Sequence, residues 1–249
     1  MTSRKSTQPG SAHGGSFATT RWTVVLAAGR RSTPQAGQAL EELCRIYWYP
    51  LYAYTRRQGH AKEDAEDLTQ GFFASFLARN YLEGLSRQKG KFRAYLLAAL
   101  KHYLANERDR AGRLKRGGGV RILSLDWQDA ETRYRIDPAD RLSPEKLYDR
   151  AWALTLLERV IARLRDESAH QGKAMLFERL RPFLTASRGA IPYAHVAAEL
   201  GLAEGAVRVA VHRLRRRYRE ILRAEIAETV SEPGQLEEEM GDLLSAFGE

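Results

Sequence analysis

The stretch Ile191–Arg223, IPYAHVAAELGLAEGAVRVAVHRLRRRYREILR, limits the folds open to this chain more than any other. It reads as two helices joined by a tight turn. Pro192 stands where a first helical turn has no use for an N–H. Val196, Ala197 and Leu200 place apolar groups on one helical face. Gly201 stops the first helix, because glycine enters the left-handed cap conformation at little cost. Leu202 anchors the turn. The second helix starts at about Glu204, with Val207, Val211 (or Ala210) and Leu214 facing inward. Ala197, Gly201 and Val207 stand four and then six residues apart, the spacing of a helix-turn-helix.

The outward side of that second helix carries Arg208, His212, Arg213, Arg215, Arg216, Arg217 and Arg219, with Arg223 following. Only Glu204 and Glu220 oppose them. Such a stripe suits phosphates, and its N-terminal part suits a major groove. A solvated basic face on a packing helix is the plainer alternative. The formal net charge of +9 and pI of 9.8 favour a polyanionic partner without naming it.

A chain of 249 residues can hold two small domains, each with a core. The single cysteine, Cys44, excludes a disulfide framework and a cysteine-type zinc site, and reads as a core thiol. No run approaches the roughly 18 apolar residues of a membrane span. Met1–Ser16 is rich in Ser, Thr and Gly without an apolar signal core, which predicts a disordered lead-in over 1–16. The expectation is a reduced, cytoplasmic, all-helical protein with no membrane insertion and no cofactor.

Phe17–Leu26 (FATTRWTVVL) is short and β-branched and fits a strand or a helix. Pro34–Gly37 reads as a break. Leu40, Leu43, Tyr47, Leu51 and Tyr54 then recur at helical spacing. Pro50 inside this pattern predicts a kink or two abutting helices, and Gly59 ends it. Lys62–Arg79 predicts a second amphipathic helix, with Ala65, Leu68, Phe72 and Phe76 buried. Asp64, Asp67 and Gln70 lie three apart and share its exposed face. Glu63, Asp64, Glu66 and Asp67 crowd its start, where the helix dipole stabilises carboxylates. A metal site is the weaker reading, because divalent ions take ligands from separate segments.

Lys91–Lys115 predicts a long third helix with Phe92, Leu96, Ala99 and Tyr103 buried. Its other side carries Arg93, Lys101, His102, Asn106, Arg110 and Arg113, with Tyr95 nearby. Cations interleaved with rings suit single-stranded nucleic acid, although Tyr95 and Tyr103 also fit as core rings. From Arg116 the composition changes, and the Gly-rich, charge-mixed run over 117–142 reads as a flexible linker. Ser143 caps and Pro144 opens the next helix, to about Arg165, with Leu147, Leu154, Ile161 and Leu164 inward. A helical piece over Gly172–Leu184, broken at Pro182, leads into the two-helix stretch.

Beyond Arg223 the charge reverses. Glu225, Glu228, Glu232, Glu237, Glu238, Glu239, Asp242 and Glu249 meet no Lys or Arg, and Leu236, Met240, Leu243, Leu244 and Phe247 give a short amphipathic tail. Such a tail can fold back in competition with DNA, dock a partner, or fray as a solubilising end. The expected architecture is therefore all-α. It comprises a helical domain over 17–116, the linker, a second domain over 143–230 that ends in the helix-turn-helix, and an acidic tail over 231–249.

Three of these segments resemble bacterial sigma-70-type factors. Asp64–Leu77 (DAEDLTQGFFASFL) resembles the polymerase-binding helix of their second conserved region. Phe92–Arg116 is similar to the promoter-melting helix that follows, and Pro192–Leu222 to the fourth conserved region. The absence of a middle region points to the extracytoplasmic-function group. The resemblance implies a promoter-specificity subunit that binds core RNA polymerase and promoter DNA and has no catalytic chemistry of its own. An anti-sigma factor or other regulator is a further candidate partner. By position, Asp64, Asp67 and Gln70 would bind the polymerase clamp. Arg93, Tyr95, Lys101, His102, Asn106 and Arg110 would meet the −10 element. Glu204, Arg208, His212, Arg213 and Arg216 would read the −35 element. The chain departs from the pattern at Lys101-His102, where the family usually has Arg-Asn, and at Asn106, often Asp. It also departs at Ala203 in place of a Ser cap, in an insertion near Ser168–Gly189, and in the acidic tail. Two other readings remain: a stand-alone helix-turn-helix regulator, and a metal-dependent nucleic-acid enzyme built on the Glu63–Asp67 carboxylates.

Overall fold

The fold centres on helix α1, Pro34–Arg57. From Cys44 and from Ile46 to Thr55 every residue of α1 is buried. A helix buried on all sides must lie between other elements rather than on a surface. The computed structural model describes residues 34–78, 91–111, 127–136, 142–187 and 189–248. The lead-in over 1–16, the segment Phe17–Leu26 and Arg113 lie outside the described residues. The described chain is all-helical apart from one isolated antiparallel bridge between Lys91 and Val230.

Pro34–Gly37 is the first turn of α1 rather than a break, with proline where its missing N–H costs nothing. Pro50 sits inside a helix that runs on without a second start, so the two abutting helices do not occur. After α1, Gly59 takes a positive φ of 94° and turns the chain. Helix α2, Lys62–Ala78, and helix α3, Phe92–Ala111, then pack their aromatic stripes against α1. Phe72 lies 5.4 Å from both Phe73 and Phe76 and 5.8 Å from Tyr103, in the tilted and edge-on geometries that ring quadrupoles prefer. Gly71 allows this approach, since a Cβ there would lie 2.5 Å from the Tyr103 hydroxyl.

The linker expectation is corrected in part. Trp127–Ile136 forms helix α4. Ala130 of α4 packs with Tyr49, Tyr52 and Ala53 of α1. Beside it, buried Glu131 accepts from the Tyr52 hydroxyl at 2.5 Å and from Arg56 at 3.1 and 3.2 Å. Composition hides this helix, because what holds it is a carboxylate whose partners lie 75 and 79 residues away.

Helix α5, Pro144–His170, is capped as expected, with the Ser143 hydroxyl accepting from the Lys146 N–H at 3.2 Å. It runs past Arg165 and buries Leu147, Tyr148, Ala151, Trp152, Leu156, Val160 and Leu164, while Leu154 and Ile161 are half-buried. Trp152, Leu156 and Val160 join the same core as Tyr47, Leu51 and Phe72. The two expected domains thus share one core in this structure, with α5 lying along α1. Next come α6, Ala174–Leu180, a 3₁₀ turn at Arg181–Leu184 that contains Pro182, α7, Tyr193–Leu200, and α8, Glu204–Ala227. The chain closes with α9, Pro233–Ser245. Among the described residues no helix is long and apolar enough to cross a membrane.

Acid should loosen this body. Burial works against the Glu131 charge, yet hydrogen bonds from Tyr52, Arg56 and Arg135 hold its carboxyl below the usual value. A hydrogen bond from Lys101 lowers Glu145, and one from Arg217 lowers Glu167. A carboxyl depressed in the folded state stabilises fully above its unfolded pKa, about 4.3 for Glu, and stops doing so as pH falls through the folded value. Burial raises Glu66 and Asp149, which act in the opposite sense. Each of the three depressed carboxyls pairs across two helices, and hydrogen bonds from Arg223 and Lys91 likewise lower Glu237 and, against its burial, Asp242, so the melting temperature is expected to drop below about pH 4.3. A thermal melt series that stays level down to pH 3 would contradict this.

Candidate nucleic-acid interface

Helix α7 ends at Gly201, whose φ of 63° and ψ of 31° are left-handed. The Gly201 N–H donates to the Ala198 carbonyl at 3.3 Å, and the Leu202 N–H reaches back to Ala197 at 2.9 Å. These bonds satisfy the last carbonyls of α7 and turn the chain within three residues. Helix α8 starts without a side-chain cap, because Ala203 has no acceptor to offer. Val196 and Ala197 of α7 meet Val207 and Val211 of α8 over Leu180 and Phe183, which makes a small core separate from the main one.

That core fixes which way α8 faces. Glu204, Arg208, His212, Arg213 and Arg216 are all exposed, as are Arg217 and Arg219. The exposed apolar residue Val209 stands among them. Arg208 is held rather than loose. Its guanidinium donates to Glu204 at 3.0 and 2.5 Å and lies 4.8 Å above the Tyr193 ring. Tyr193 is itself stacked on Phe183, with centroids 5.1 Å apart and planes at 10°. Among the described residues Arg216 has only a longer contact to Glu220, at 3.5 Å. Among the described residues no carboxylate pairs with Arg213 or Arg219. Arg215 belongs to the fold instead, donating twice to the Phe183 carbonyl at 3.1 and 2.7 Å. Arg217 is tied to Glu167 of α5 at 2.8 and 2.9 Å.

On α2, Asp64 and Asp67 are exposed. Gln70 is half-buried, and its side-chain nitrogen has no hydrogen-bond partner among the described residues. The exposed face expected for all three therefore holds for Asp64 and Asp67 and only in part for Gln70. Among the described residues no group of three His, Cys, Asp or Glu side chains is placed to hold a metal.

Helix α3 divides the six residues expected at the −10 element. Lys101, His102, Asn106 and Arg110 are exposed. Lys101 reaches Glu145 at 2.7 Å and Arg110 reaches Glu107 at 2.9 Å. Tyr95 is half-buried and packs 6.1 Å from Phe76. Arg93 departs furthest from a solvent-facing cation. Its guanidinium is 4.4 Å above the Trp152 ring and pairs with Asp149, with Glu239 at 3.0 Å and with Asp242 at 2.8 Å. Burial works against this charge, and the carboxylates more than offset it, holding Arg93 above its ordinary value.

Two of the three carboxylates around Arg93, Glu239 and Asp242, come from α9, which is packed against the body, so the frayed-end alternative is set aside for this helix. Glu239 is fully buried, and Leu243 joins the main core. Lys91 contacts Glu238 at 2.9 Å, Glu239 at 3.3 Å and Asp242 at 2.7 Å. Glu237 accepts from Arg223 at 2.5 Å. The charge reversal after Arg223 signalled this contact, but no local period named its target. No protein-family model, curated protein or solved structure matches this chain.

Proposed function

We propose that the chain is a promoter-specificity subunit of the sigma type, which joins core RNA polymerase in the cytoplasm and directs it to promoter DNA. The single observation that carries the reading is the outward face of α8. Arg208, His212, Arg213 and Arg216 stand together on a helix whose inward Val207 and Val211 are buried in the small core. The helix-turn-helix reading of α7 and α8 rests on the same packing. In this role the N-terminal turns of α8 enter the −35 major groove, and the later arginines meet phosphates. Exposed Lys101, His102, Asn106 and Arg110 serve the opened −10 strand. Asp64, Asp67 and Gln70 face the polymerase.

Run-off transcription with core polymerase tests this. The purified chain should start transcripts from a promoter that core enzyme alone ignores. Asp67→Ala should weaken co-purification with core enzyme about tenfold while leaving the circular dichroism unchanged, the effect of losing roughly 1.4 kcal/mol of contact. Unchanged association would remove α2 from the interface.

A second reading, a stand-alone DNA-binding regulator, is favoured by two observations. The helices assigned to two tethered grips share a core, and Arg93 is engaged inside the protein. A chain that binds duplex through α8 but starts no transcripts with core polymerase would be such a regulator.

A further inference from the structure

We propose that Lys91 and Arg93, beside Trp152, form a seat for a nucleic-acid phosphate backbone, and that α9 covers this seat as an internal competitor. The proposal rests on the reading of the chain as a nucleic-acid-binding protein. Three observations carry it. The two cations sit two residues apart at the start of α3, whose other exposed face continues with Lys101, His102 and Arg110. Their partners on α9 are carboxylates in a row, Glu238, Glu239 and Asp242, which present acidic oxygens as a phosphate backbone does. The Trp152 ring lies 4.4 Å under the Arg93 guanidinium and holds that planar group in one direction, whichever anion it meets.

The covering helix is tethered in a way that suits exchange. The chain returns along α3 through the Lys91–Val230 bridge and the Phe92 N–H bond to the Thr229 carbonyl at 3.1 Å. These contacts precede α9, so the start of the tail stays anchored when α9 lifts. Glu237, Glu238 and Asp242 are partly or largely exposed, and charge pairs of that kind yield to a competing polyanion. Asp149 remains with Arg93 on the α5 side, so the seat does not collapse when α9 leaves.

The test uses the full chain carrying Glu237→Gln, Glu238→Gln and Asp242→Asn, with buried Glu239 kept so that Arg93 retains a partner. A charge-matched control carries Glu158→Gln, Asp166→Asn and Glu178→Gln, three exposed carboxylates paired to arginines away from α9. Binding of a short single-stranded DNA and of a duplex is followed by fluorescence anisotropy across a salt series. The α9 variant should bind the single strand about tenfold more tightly than the control. Its logarithmic salt slope should steepen by about 1.4, the release of counterions from two phosphates. Adding Lys91→Gln should remove much of that gain. Duplex binding by the wild type, with equal single-strand gains in the α9 variant and the control, overturns the seat while leaving the wider reading intact. A gain that survives Lys91→Gln also overturns it. If no form of the chain binds either DNA, both the seat and the nucleic-acid reading fail.

Discussion

Glu239→Ala is expected to cost about 3 kcal/mol of folding stability, read as a lower urea midpoint at constant slope. Glu239 is fully buried, and its two oxygens serve Arg93 and Lys91. Removing one partner of a buried pair leaves the other charge out of water and uncompensated, a change that typically costs about 3–5 kcal/mol. The lower end applies because Asp149 and Asp242 remain with Arg93. The Trp152 ring also faces the guanidinium, and it cannot replace a carboxylate. Glu239→Gln should lose less, since the amide oxygen still accepts. A loss below about 1 kcal/mol for the alanine variant would mean that α9 contributes no more than an exposed pair and is not part of the folded body.

Arg208→Ala is expected to lower affinity for a preferred duplex by about ten- to a hundredfold, the range of a lost bidentate base contact. The loss should concentrate at one or two base positions in a sequence library. Arg208 is suited to that task because Glu204 and the Tyr193 ring hold its guanidinium in one direction before any DNA arrives. Arg216 lies two turns further along, with a longer contact to Glu220. Arg216→Ala should weaken binding evenly across sequences and reduce the salt slope by about one unit. Identical library profiles for the two variants would refute this division of labour. Tyr193→Leu should carry part of the Arg208 effect, since it removes the ring under the guanidinium and keeps the apolar bulk against Phe183.

Much of the candidate interface is legible in the chain itself. Helical periodicity places Val207 and Val211 on one side of α8 and Arg208, His212, Arg213 and Arg216 on the other, and the structure keeps that division. The turn at Gly201 follows from the same local logic, as does the Ser143 cap of α5. The reading fails where a residue's environment comes from far along the chain. Arg93 has the spacing of a surface cation on α3, but Glu239 stands 146 residues later and buries it. Arg215 looks like one more member of the arginine stripe until the Phe183 carbonyl, 32 residues earlier, takes its N–H groups. Tyr49 and Tyr52 fall outside the single stripe read for α1, and α4 and α5 cover them.

The all-helical class, the start of α5, the ends of α7 and the two-sidedness of α8 were determined by the sequence alone, because period, cap and turn act between residues at most a few positions apart. The tertiary structure alone decided that α4 forms within the presumed linker, that α1 is enclosed and that α9 covers Lys91 and Arg93. Each of these depends on burying charge or aromatic area against a distant segment, and a favourable partner there outweighs the local preference for loop, stripe or solvent.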